Sequence, residues 1–254
     1  MRSRPQVFAH RGDSAHAPEN TLIAFERAIS CGADGIELDV RRSKDGHVVI
    51  SHDATVGRRS NGSGKIGDMT LDKLRELDFS RGFSLNKPAR IATLEETLDI
   101  VRSSRMHINI ELKSKRPLDM GLVPAVLGIV SEFGMAERVV YSSFRLNLLG
   151  AIRSASGDAR IGILVGVGRR VPWEAAKLLR AEAVHVPASR LRYKAFIERC
   201  QTAKLLISVW TLDDAGRIIQ AAKSGAASII TNDPEKTLAV LNNYIEINKG
   251  LIRN

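Results

Sequence analysis

Two short segments carry acidic side chains at alternate positions. In Gly35–Val40, the period-two alternation of a strand places Glu37 and Asp39 on one face and the apolar residues on the other. The segment His107–Lys113 repeats this pattern and adds Glu111 to the polar face. Carboxylates buried together repel one another unless a cation compensates them. Hard oxygen ligands without a cysteine favour Mg²⁺ or Ca²⁺ over zinc, so the pattern predicts a divalent cation site.

A purely structural interpretation of these residues stays open. Lys113 lies on the same predicted face as Asn109 and Glu111, and its ammonium group would neutralise part of the acidic charge. An ion-pair cluster around Lys113 would then explain the pattern without a metal. The metal is favoured because two separate strands supply matching carboxylates.

Histidines at strand ends are candidate proton carriers. His10 ends the first predicted strand and His52 ends another, and imidazole titrates near neutral pH. Either histidine alone is more often a hydrogen-bonded structural residue than a catalyst. His185, on the sixth predicted strand, has the same ambiguity and is next in line should His52 prove structural. The remaining histidines are predicted to be structural or exposed: His16, His47 and His107.

The elements that must position these side chains alternate along the chain. Short β-branched segments are followed by longer helical patterns, which is typical of βαβ units around a parallel sheet. Eight segments are predicted to be barrel strands, namely Val7–Ala9, Gly35–Val40, His107–Lys113, Val139–Ser143, Arg160–Val165, Ala183–Pro187, Leu205–Trp210 and Ser228–Thr231. Eight parallel strands favour a closed barrel.

One stretch interrupts this alternation. Lys44–Gly46 predicts a hairpin turn into an additional short strand that ends near His52. Residues 53–92 are predicted to form a small insertion after the second strand, with a short helix around Leu71–Leu77. Barrel active sites are assembled on that side, which favours a lid or pocket wall over a merely tolerated surface insertion.

Length and charge limit the classes of function. The 254 residues suit a single catalytic domain over 1–254, with 44% hydrophobic residues for a large core. The net charge of +10 suits an anionic partner, either a nucleic acid or a phosphate-bearing small molecule. The basic residues are scattered without interleaved aromatic residues, so a solvated basic surface is expected and nucleic acid is not.

The sequence predicts a cytoplasmic protein without stable membrane insertion. The N-terminus lacks the apolar stretch of a secretory signal, and the longest apolar segment, near Ile161–Val167, is short and broken by glycines. Cys31 and Cys200 match no metal or redox spacing, and both are predicted to be reduced, buried thiols. Association between copies of the chain is left open.

Short motifs occur along nearly the whole chain, and several of them contain the candidate site residues. In order they are His10–Gly12, Pro18–Thr21, Ala24–Phe25, Gly32–Val40, Lys44–Gly46, His52–Asp53, Thr93–Glu96, Ile110–Lys113, Ser142–Phe144, Trp210–Thr211 and Ile230–Pro234. This series resembles the glycerophosphodiester phosphodiesterase family. One departure is Asp213, where the family more usually has asparagine.

The resemblance implies a (β/α)8 TIM barrel that hydrolyses glycerophosphodiesters to sn-glycerol 3-phosphate and an alcohol. It implies that Mg²⁺ or Ca²⁺ is held by the acidic cluster, whose members are Glu37, Asp39 and Glu111. It also implies proton exchange by His10 and His52, with internal attack by the glycerol 2-hydroxyl to give a cyclic phosphate. The partner is then a small-molecule glycerophosphodiester, and its alcohol cannot be predicted.

Four further residues are candidate groups for substrate. Arg11 offers a planar fork to phosphate oxygens and Lys113 a point charge, so both are expected to bind phosphate, and Arg11 also to stabilise its developing charge. Phe144 and Trp210 follow or end strands, where they are expected to contact the glycerol carbons. Core packing is the alternative for both aromatic residues.

Two alternative functions remain at this point. Similar barrels act as phospholipase D-like lyases on lipid phosphodiesters, an activity disfavoured here because the sequence predicts no amphipathic or exposed aromatic membrane surface. A phosphodiester-binding protein without turnover is the other alternative, disfavoured because every proposed proton and metal group is present.

Overall fold

The computed structural model describes residues 4–114, 119 and 121–252. Nine strands occur in this part of the chain: β1 (Gln6–His10), β2 (Gly35–Arg42), β3 (Val48–Ile50), β4 (His107–Leu112), β5 (Val139–Ser143), β6 (Arg160–Leu164), β7 (Ala183–Pro187), β8 (Leu206–Trp210) and β9 (Ser228–Thr231). Helices follow most of them: α1 (Leu22–Ser30), α2 (Leu71–Glu76), α3 (Leu94–Arg102), α4 (Leu122–Glu132), α5 (Leu146–Ala155), α6 (Trp173–Leu178), α7 (Lys194–Thr202), α8 (Ala215–Lys223) and α9 (Pro234–Ile252).

The strands form a closed parallel barrel. β1 pairs in parallel with both β9 and β2, and the remaining strands follow one another around the ring from β4 to β9. The predicted (β/α)8 barrel is therefore confirmed. β3 lies outside the ring and pairs antiparallel with β2, as the Lys44–Gly46 turn predicts. β2 continues beyond its predicted end because Arg41 and Arg42 pair with β3.

The register of β2 against β4 brings the acidic residues together. Asp39 lies directly opposite Glu111, and Glu37 lies opposite Asn109. The alternate apolar residues of β2 are fully buried in the main hydrophobic core, which includes side chains from α1 and α3. The strand alternation thus sends its apolar residues to the helices and its acidic residues into the barrel.

The segment 53–92 has a hydrophobic cluster of its own. Its buried members include Val56, Leu74 and Phe79, and they form a group separate from the barrel core. The predicted short helix is α2, which begins after Thr70, whose side chain accepts a hydrogen bond from the Lys73 backbone. This cluster is distinct from the barrel core, although Val49 of β3 belongs to it and Ile23 of α1 packs against it.

The two cysteines differ in their exposure to solvent. Cys200 is fully buried, but Cys31 is only half-buried because it lies at the C-terminal cap of α1; both are free thiols. Among the described helices, none has the length and apolar character needed to cross a bilayer.

Candidate active site

The acidic cluster lies at the carboxyl ends of β2 and β4. One oxygen from each of Glu37, Asp39 and Glu111 lies within 4.8 Å of the other two. All three residues are buried, and Asp39 is fully inaccessible to solvent. Buried acidic groups this close together require compensating positive charge.

Burial and mutual repulsion perturb the acidic groups strongly. Burial, followed by the charges of Asp39 and Glu111, raises the pKa of Glu37 well above its ordinary value. Burial and Asp39 raise the pKa of Glu111 to about 7. Burial opposes ionisation of Asp39 as well, but Lys113 and Arg11 outweigh it and hold the pKa of Asp39 below its usual range. Simultaneous ionisation of all three carboxyl groups is therefore opposed unless further positive charge is present.

Two cations from the protein contact the cluster. The Nζ atom of Lys113 lies 2.6 Å from Glu111 Oε1 and 3.1 Å from Asp39 Oδ1. The Nε atom of Arg11 lies 3.3 Å from Asp39 Oδ2. These ion pairs match the structural interpretation of the sequence. Each contact uses only one lone pair of a carboxylate oxygen, and the three carboxylates still lie together. Free carboxylate lone pairs in a hard-oxygen set fit Mg²⁺ or Ca²⁺.

His10 ends β1 and is anchored by a residue that follows the neighbouring strand β9. Its Nδ1 atom lies 2.7 Å from Oδ1 of Asn232, which directly follows β9. Its Nε2 atom lies 4.0 Å from Glu37 Oε2. Burial and the charge of Arg11 lower the pKa of His10. The ring is thus held with one nitrogen on the scaffold and the other beside the acidic cluster.

His52 follows β3 and is anchored locally. Its Nδ1 atom lies 2.8 Å from Asp53 Oδ1, and Asp53 is in turn bound by Arg58. Arg41 donates hydrogen bonds to the His52 carbonyl. Burial lowers the pKa of His52, against the opposing charge of Asp39 and the hydrogen bond with Asp53. This histidine therefore rests on the segment 53–92 and the β2–β3 hairpin.

The backbone after β1 is shaped to position Arg11. Arg11 has a positive φ of 58°, and its amide N–H donates to Glu37 Oε2 at 3.0 Å. Gly12 has a φ of +82°, and a Cβ atom there would come within 2.6 Å of Ala24. Glycine is required at this position both by conformation and by space. The His10–Gly12 motif thus has a direct steric explanation.

Two residues of the Pro18–Thr21 motif hold the site together, and the sequence did not assign them a role. Glu19 binds Arg11 at 2.9 Å and also contacts Arg58 and Arg59, which lower its pKa to about 2 despite its burial. Asn20 donates to Asp39 Oδ2 at 2.9 Å. Only their membership of a family motif could have indicated them.

One cavity of about 150 Å³ collects the predicted side chains. It is lined by His10, Arg11, Glu37, His52, Glu111, Lys113, Phe144 and Trp210, among others, and Asp39 contacts Lys113 beneath it. The two aromatic rings pack edge to face, with centroids 6.0 Å apart. Phe144 is 48% exposed, so core packing does not explain it. All the predicted site residues therefore meet at the carboxyl end of the barrel.

The other histidines lie elsewhere. His185 is buried inside the barrel, where burial lowers its pKa to about 4, and it does not line the cavity. A Cβ atom at Gly162 would approach its Nε2 atom to 2.4 Å, so the ring fills the space opposite that glycine. His16 and His47 have roughly half-exposed side chains. None of these three competes with His10 and His52 by position.

Known proteins share both the sequence and the fold. A model of the glycerophosphoryl diester phosphodiesterase family matches residues 10–236. A glycerophosphodiester phosphodiesterase of Caldanaerobacter subterraneus is 37% identical over 230 residues, covering 90% of this chain and 94% of that protein. A glycerophosphodiester phosphodiesterase structure from Thermotoga maritima has a TM-score of 0.79 and 31% identity, covering 94% of this chain and all of the other.

A more distant structure shows the same fold. The Oleispira antarctica phosphodiesterase, in complex with the product sn-glycerol 3-phosphate, has a TM-score of 0.85 at 24% identity, covering 94% of this chain and 97% of the other. At that identity the likeness concerns the fold alone. The match over residues 10–236 and the 37% identity decide the relationship. The chain is an enzyme that belongs to the glycerophosphoryl diester phosphodiesterase family.

Proposed function

We propose that the chain hydrolyses glycerophosphodiesters to sn-glycerol 3-phosphate and an alcohol. The observation that carries this proposal is the cavity in which His10 and His52 meet the acidic cluster. A phosphodiester is an anion that gains charge on its phosphoryl oxygens when attacked, so it needs cations and positioned proton carriers. sn-Glycerol 3-phosphate is also the product bound in the Oleispira antarctica structure, whose fold this chain shares.

The acidic cluster would hold the divalent cation, Mg²⁺ or Ca²⁺, through Glu37, Asp39 and Glu111. When bound, such an ion stabilises negative charge on phosphoryl oxygens. Arg11 and Lys113 border the cavity and carry the positive charge that this chain itself contributes to phosphate binding. Glu19 holds the Arg11 guanidinium from the far side, so the arginine is oriented before substrate enters.

The glycerol group would lie against Trp210 and Phe144, which line the cavity beside Lys113. This placement brings the glycerol 2-hydroxyl next to the phosphorus at a high effective concentration, an advantage that a free water molecule lacks. The hydroxyl oxygen then bonds to phosphorus as the bond from phosphorus to the departing alcohol breaks. The result is a cyclic 1,2-phosphate, which water opens in a second step.

The two histidines would divide the proton transfers. The neutral amide of Asn232 is the partner of His10, whereas the carboxylate of Asp53 is the partner of His52. A carboxylate favours the protonated imidazole, so His52 gives its proton to the departing alcohol. His10 takes the proton of the 2-hydroxyl, and ring opening by water reverses both transfers.

The direct test is turnover of glycerophosphocholine, with released sn-glycerol 3-phosphate quantified. We expect activity that chelation abolishes and that Mg²⁺ or Ca²⁺ restores. Binding of the substrate without turnover, in the presence of either ion, would identify the chain as a binding protein instead. Full activity in a demonstrably metal-free sample would reject the proposed cation site.

Internal attack has its own test. A substrate analogue with hydrogen in place of the 2-hydroxyl keeps the phosphodiester but removes the proposed nucleophile. We expect it to bind and to resist cleavage, with binding measured separately so that a lost contact is not mistaken for lost chemistry. Rapid cleavage of the bound analogue would point to direct attack by water.

We propose further that residues 1–254 act as one catalytic domain and that residues 53–92 are an insertion forming one wall of the site. This is supported by the contacts that Asp53 and Arg58 make with His52 and Glu19. The segment thus supplies partners to groups on both sides of the cavity rather than lying on a remote surface.

A lipid phosphodiester is the second candidate substrate. The sequence predicts no exposed aromatic surface, which disfavours this substrate, but Phe144 is 48% and Tyr193 47% exposed. Side-by-side assays with glycerophosphocholine and lysophosphatidylcholine decide between the two. Faster cleavage of the lysolipid, with a cyclic phosphate as the end product, would favour the lyase.

A further inference from the structure

Three neighbouring loops at the catalytic end of the barrel expose hydrophobic side chains. They follow β5, β6 and β7, which pair in parallel, so all three loops leave the barrel at its carboxyl end. Half of the large hydrophobic residues exposed in the described part of the chain lie here, namely Phe144, Leu146, Val167 and Tyr193. Residues 144–147, 166–172 and 188–194 are called the rim surface below.

The loops after β5 and β6 lie against each other beside the cavity. A Cβ atom built on Gly166 would lie 4.0 Å from the ring of Phe144. Phe144 in turn lines the cavity together with Trp210. The rim surface therefore borders the mouth of the cavity.

Val167 lies at the tip of a β-turn. The Arg169 N–H closes this turn by donating to the Gly166 carbonyl at 3.1 Å. The Val167 side chain is 75% exposed, so core packing does not explain a branched apolar residue at this position. A single exposed apolar residue is common, but four of them on neighbouring loops form a patch that is typical of a binding surface.

The rim surface also carries positive charge without any acidic residue. Its sequence contains no aspartate or glutamate, and its basic residues are Arg145, Arg169, Arg170, Arg190, Arg192 and Lys194. Within the described residues none of these arginines forms an ion pair with a carboxylate, whereas Lys194 reaches Glu198 at 3.7 Å. On the insertion side of the mouth, Arg58 and Arg59 both contact Glu19. Uncompensated positive charge and exposed apolar groups therefore occur together on the β5–β7 side.

We propose that the rim surface docks on an anionic phospholipid bilayer, with the mouth of the cavity towards the lipid headgroups. The arginines would contact lipid phosphates, and the apolar side chains would enter the boundary between headgroups and acyl chains. A nucleic acid would use the arginines but would leave the aliphatic side chains of Leu146 and Val167 in water. The sequence predicts no membrane surface, because these side chains lie in three separate segments that only the barrel brings together.

Vesicle co-sedimentation of the full chain tests this proposal without substrate, so its outcome does not depend on the proposed hydrolysis. Vesicles made from an equal mixture of phosphatidylglycerol and phosphatidylcholine are compared with vesicles of phosphatidylcholine alone. We expect binding to the anionic vesicles, much weaker binding to the neutral vesicles, and loss of binding as the ionic strength rises. Absence of binding to the anionic vesicles at low ionic strength would overturn the proposal.

The charge of the rim surface is tested by the double variant Arg169→Gln/Arg170→Gln. One basic residue near an anionic bilayer changes partitioning by about fivefold, so this variant should bind roughly tenfold to thirtyfold more weakly. Lys177→Gln/Lys223→Gln is the matched control, since it removes the same charge from the last turns of α6 and α8, at the opposite end of the barrel. Equal loss of binding in both double variants would mean that only the net charge attracts the protein, which contradicts the proposal.

The apolar contribution is tested by Val167→Ser, with Leu178→Ser as its control. Leu178 is 82% exposed but ends α6, away from the mouth of the cavity. We expect Val167→Ser to bind the anionic vesicles about threefold to tenfold more weakly, and Leu178→Ser to bind as the unaltered protein does. Equal affinities of the two serine variants would refute the apolar contact. Thermal unfolding verifies that each variant is folded.

Other anionic partners are tested with a single-stranded oligonucleotide and with polyglutamate, which offer negative charge without a bilayer. We expect both to bind more weakly than the anionic vesicles at the same ionic strength. Tighter binding of either polymer, lost in Arg169→Gln/Arg170→Gln, would identify a nucleic acid or an acidic protein as the partner and would reject the bilayer.

Discussion

The two histidines of the site are anchored by different regions of the molecule. His10 ends a barrel strand, and its partner Asn232 lies just past the adjacent strand β9. His52 follows the β2–β3 hairpin, and its partner Asp53 begins the insertion, residues 53–92. In each case Nδ1 meets an oxygen atom, so both rings are oriented by the same device. The two regions differ in the charge of the group that carries this oxygen, which is a neutral amide for His10 and a carboxylate for His52. They also differ in the hydrophobic cluster that supports each histidine.

The difference in the charge of the partners explains how two histidines, His10 and His52, can have different roles in proton transfer. Burial lowers the pKa of both histidines. In both rings the charge of Arg11 adds to that effect, while Asp39 and the hydrogen bond at Nδ1 oppose it. The proposed division of roles therefore depends on the partners, because the carboxylate of Asp53 favours a protonated ring and the neutral amide of Asn232 does not.

The largest expected effect is loss of either histidine. His10→Ala and His52→Ala should each lower kcat for glycerophosphocholine by roughly a hundredfold or more, the range of lost acid–base catalysis. Binding should suffer less than turnover. His47→Ala is the control, because that side chain is about half-exposed and does not line the cavity. Near-normal turnover of His52→Ala would show that β3 and His52 are structural.

A change of departing group sharpens this comparison. In the p-nitrophenyl ester of glycerol phosphate, the leaving group is p-nitrophenolate. This anion is stable without a proton, so its departure needs little help from an acid. On this substrate the kcat of His52→Ala should recover most of its loss, while that of His10→Ala should not. Equal recovery of both variants, or recovery of His10→Ala alone, would contradict the assignment of base and acid.

The acidic cluster lies beside both histidines, and its loading should depend on pH. Burial and Asp39 raise the pKa of Glu111 to about 7, so below that pH an entering cation must displace a proton. The apparent affinity for Mg²⁺ should therefore fall by about tenfold for each pH unit below 7. Calorimetry in two buffers of different ionisation heat measures the protons released.

Glu111→Gln is the control for that measurement. The substitution removes one charge with nearly the same shape, so affinity should be weaker and the proton release at acid pH should decrease. The pKa of Glu37 is raised as well. The protons that the variant still releases when it binds Mg²⁺ therefore measure the contribution of Glu37. Identical proton release in the variant and the unaltered protein would show that Glu111 does not bind the cation as a carboxylate.

The strand patterns predicted the barrel and the acidic cluster, because alternation within β2 and β4 is a local property of the sequence. The hairpin of β3 was equally visible from its turn. What the sequence could not show were contacts between distant segments, such as Asn20 with Asp39 and Asn232 with His10. These depend on closure of the ring, which places β9 beside β1.

A smaller effect on kcat is expected when the hydrogen-bond partner of His52 is made like that of His10. Asp53→Asn gives His52 a neutral amide partner, as His10 has, and removes a charge that favours the protonated ring. The pKa of His52 should fall by roughly one unit, and the high-pH limb of kcat, where the acid loses its proton, should shift to lower pH by the same amount. At pH 8 kcat should fall by about tenfold, and at pH 6 by less.

Asp68→Asn, an exposed acid in the same insertion, is the control for charge alone and should leave the pH profile unchanged. A high-pH limb that stays in place in Asp53→Asn would mean that His52 is not the acid, or that Asp53 does not set its protonation.

The smallest effect on turnover should come from the core that supports His52. Leu74 is fully buried in the insertion's own hydrophobic cluster, whereas Leu98 is fully buried in the barrel core. Replacing a buried leucine by alanine costs about 2–5 kcal/mol. Because the two cores are separate, Leu74→Ala should weaken the insertion locally and Leu98→Ala should lower the stability of the barrel.

Amide hydrogen exchange measures how readily the insertion and the barrel each open. In Leu74→Ala, exchange in residues 53–92 should accelerate while that of β1 stays slow, and kcat should fall by only about twofold since the closed insertion still predominates. In Leu98→Ala, β1 should also exchange faster. Equal acceleration of both segments in Leu74→Ala would show that insertion and barrel open as one unit. His10 and His52 would then share a single cooperative support, and only the charge of their partners would distinguish them.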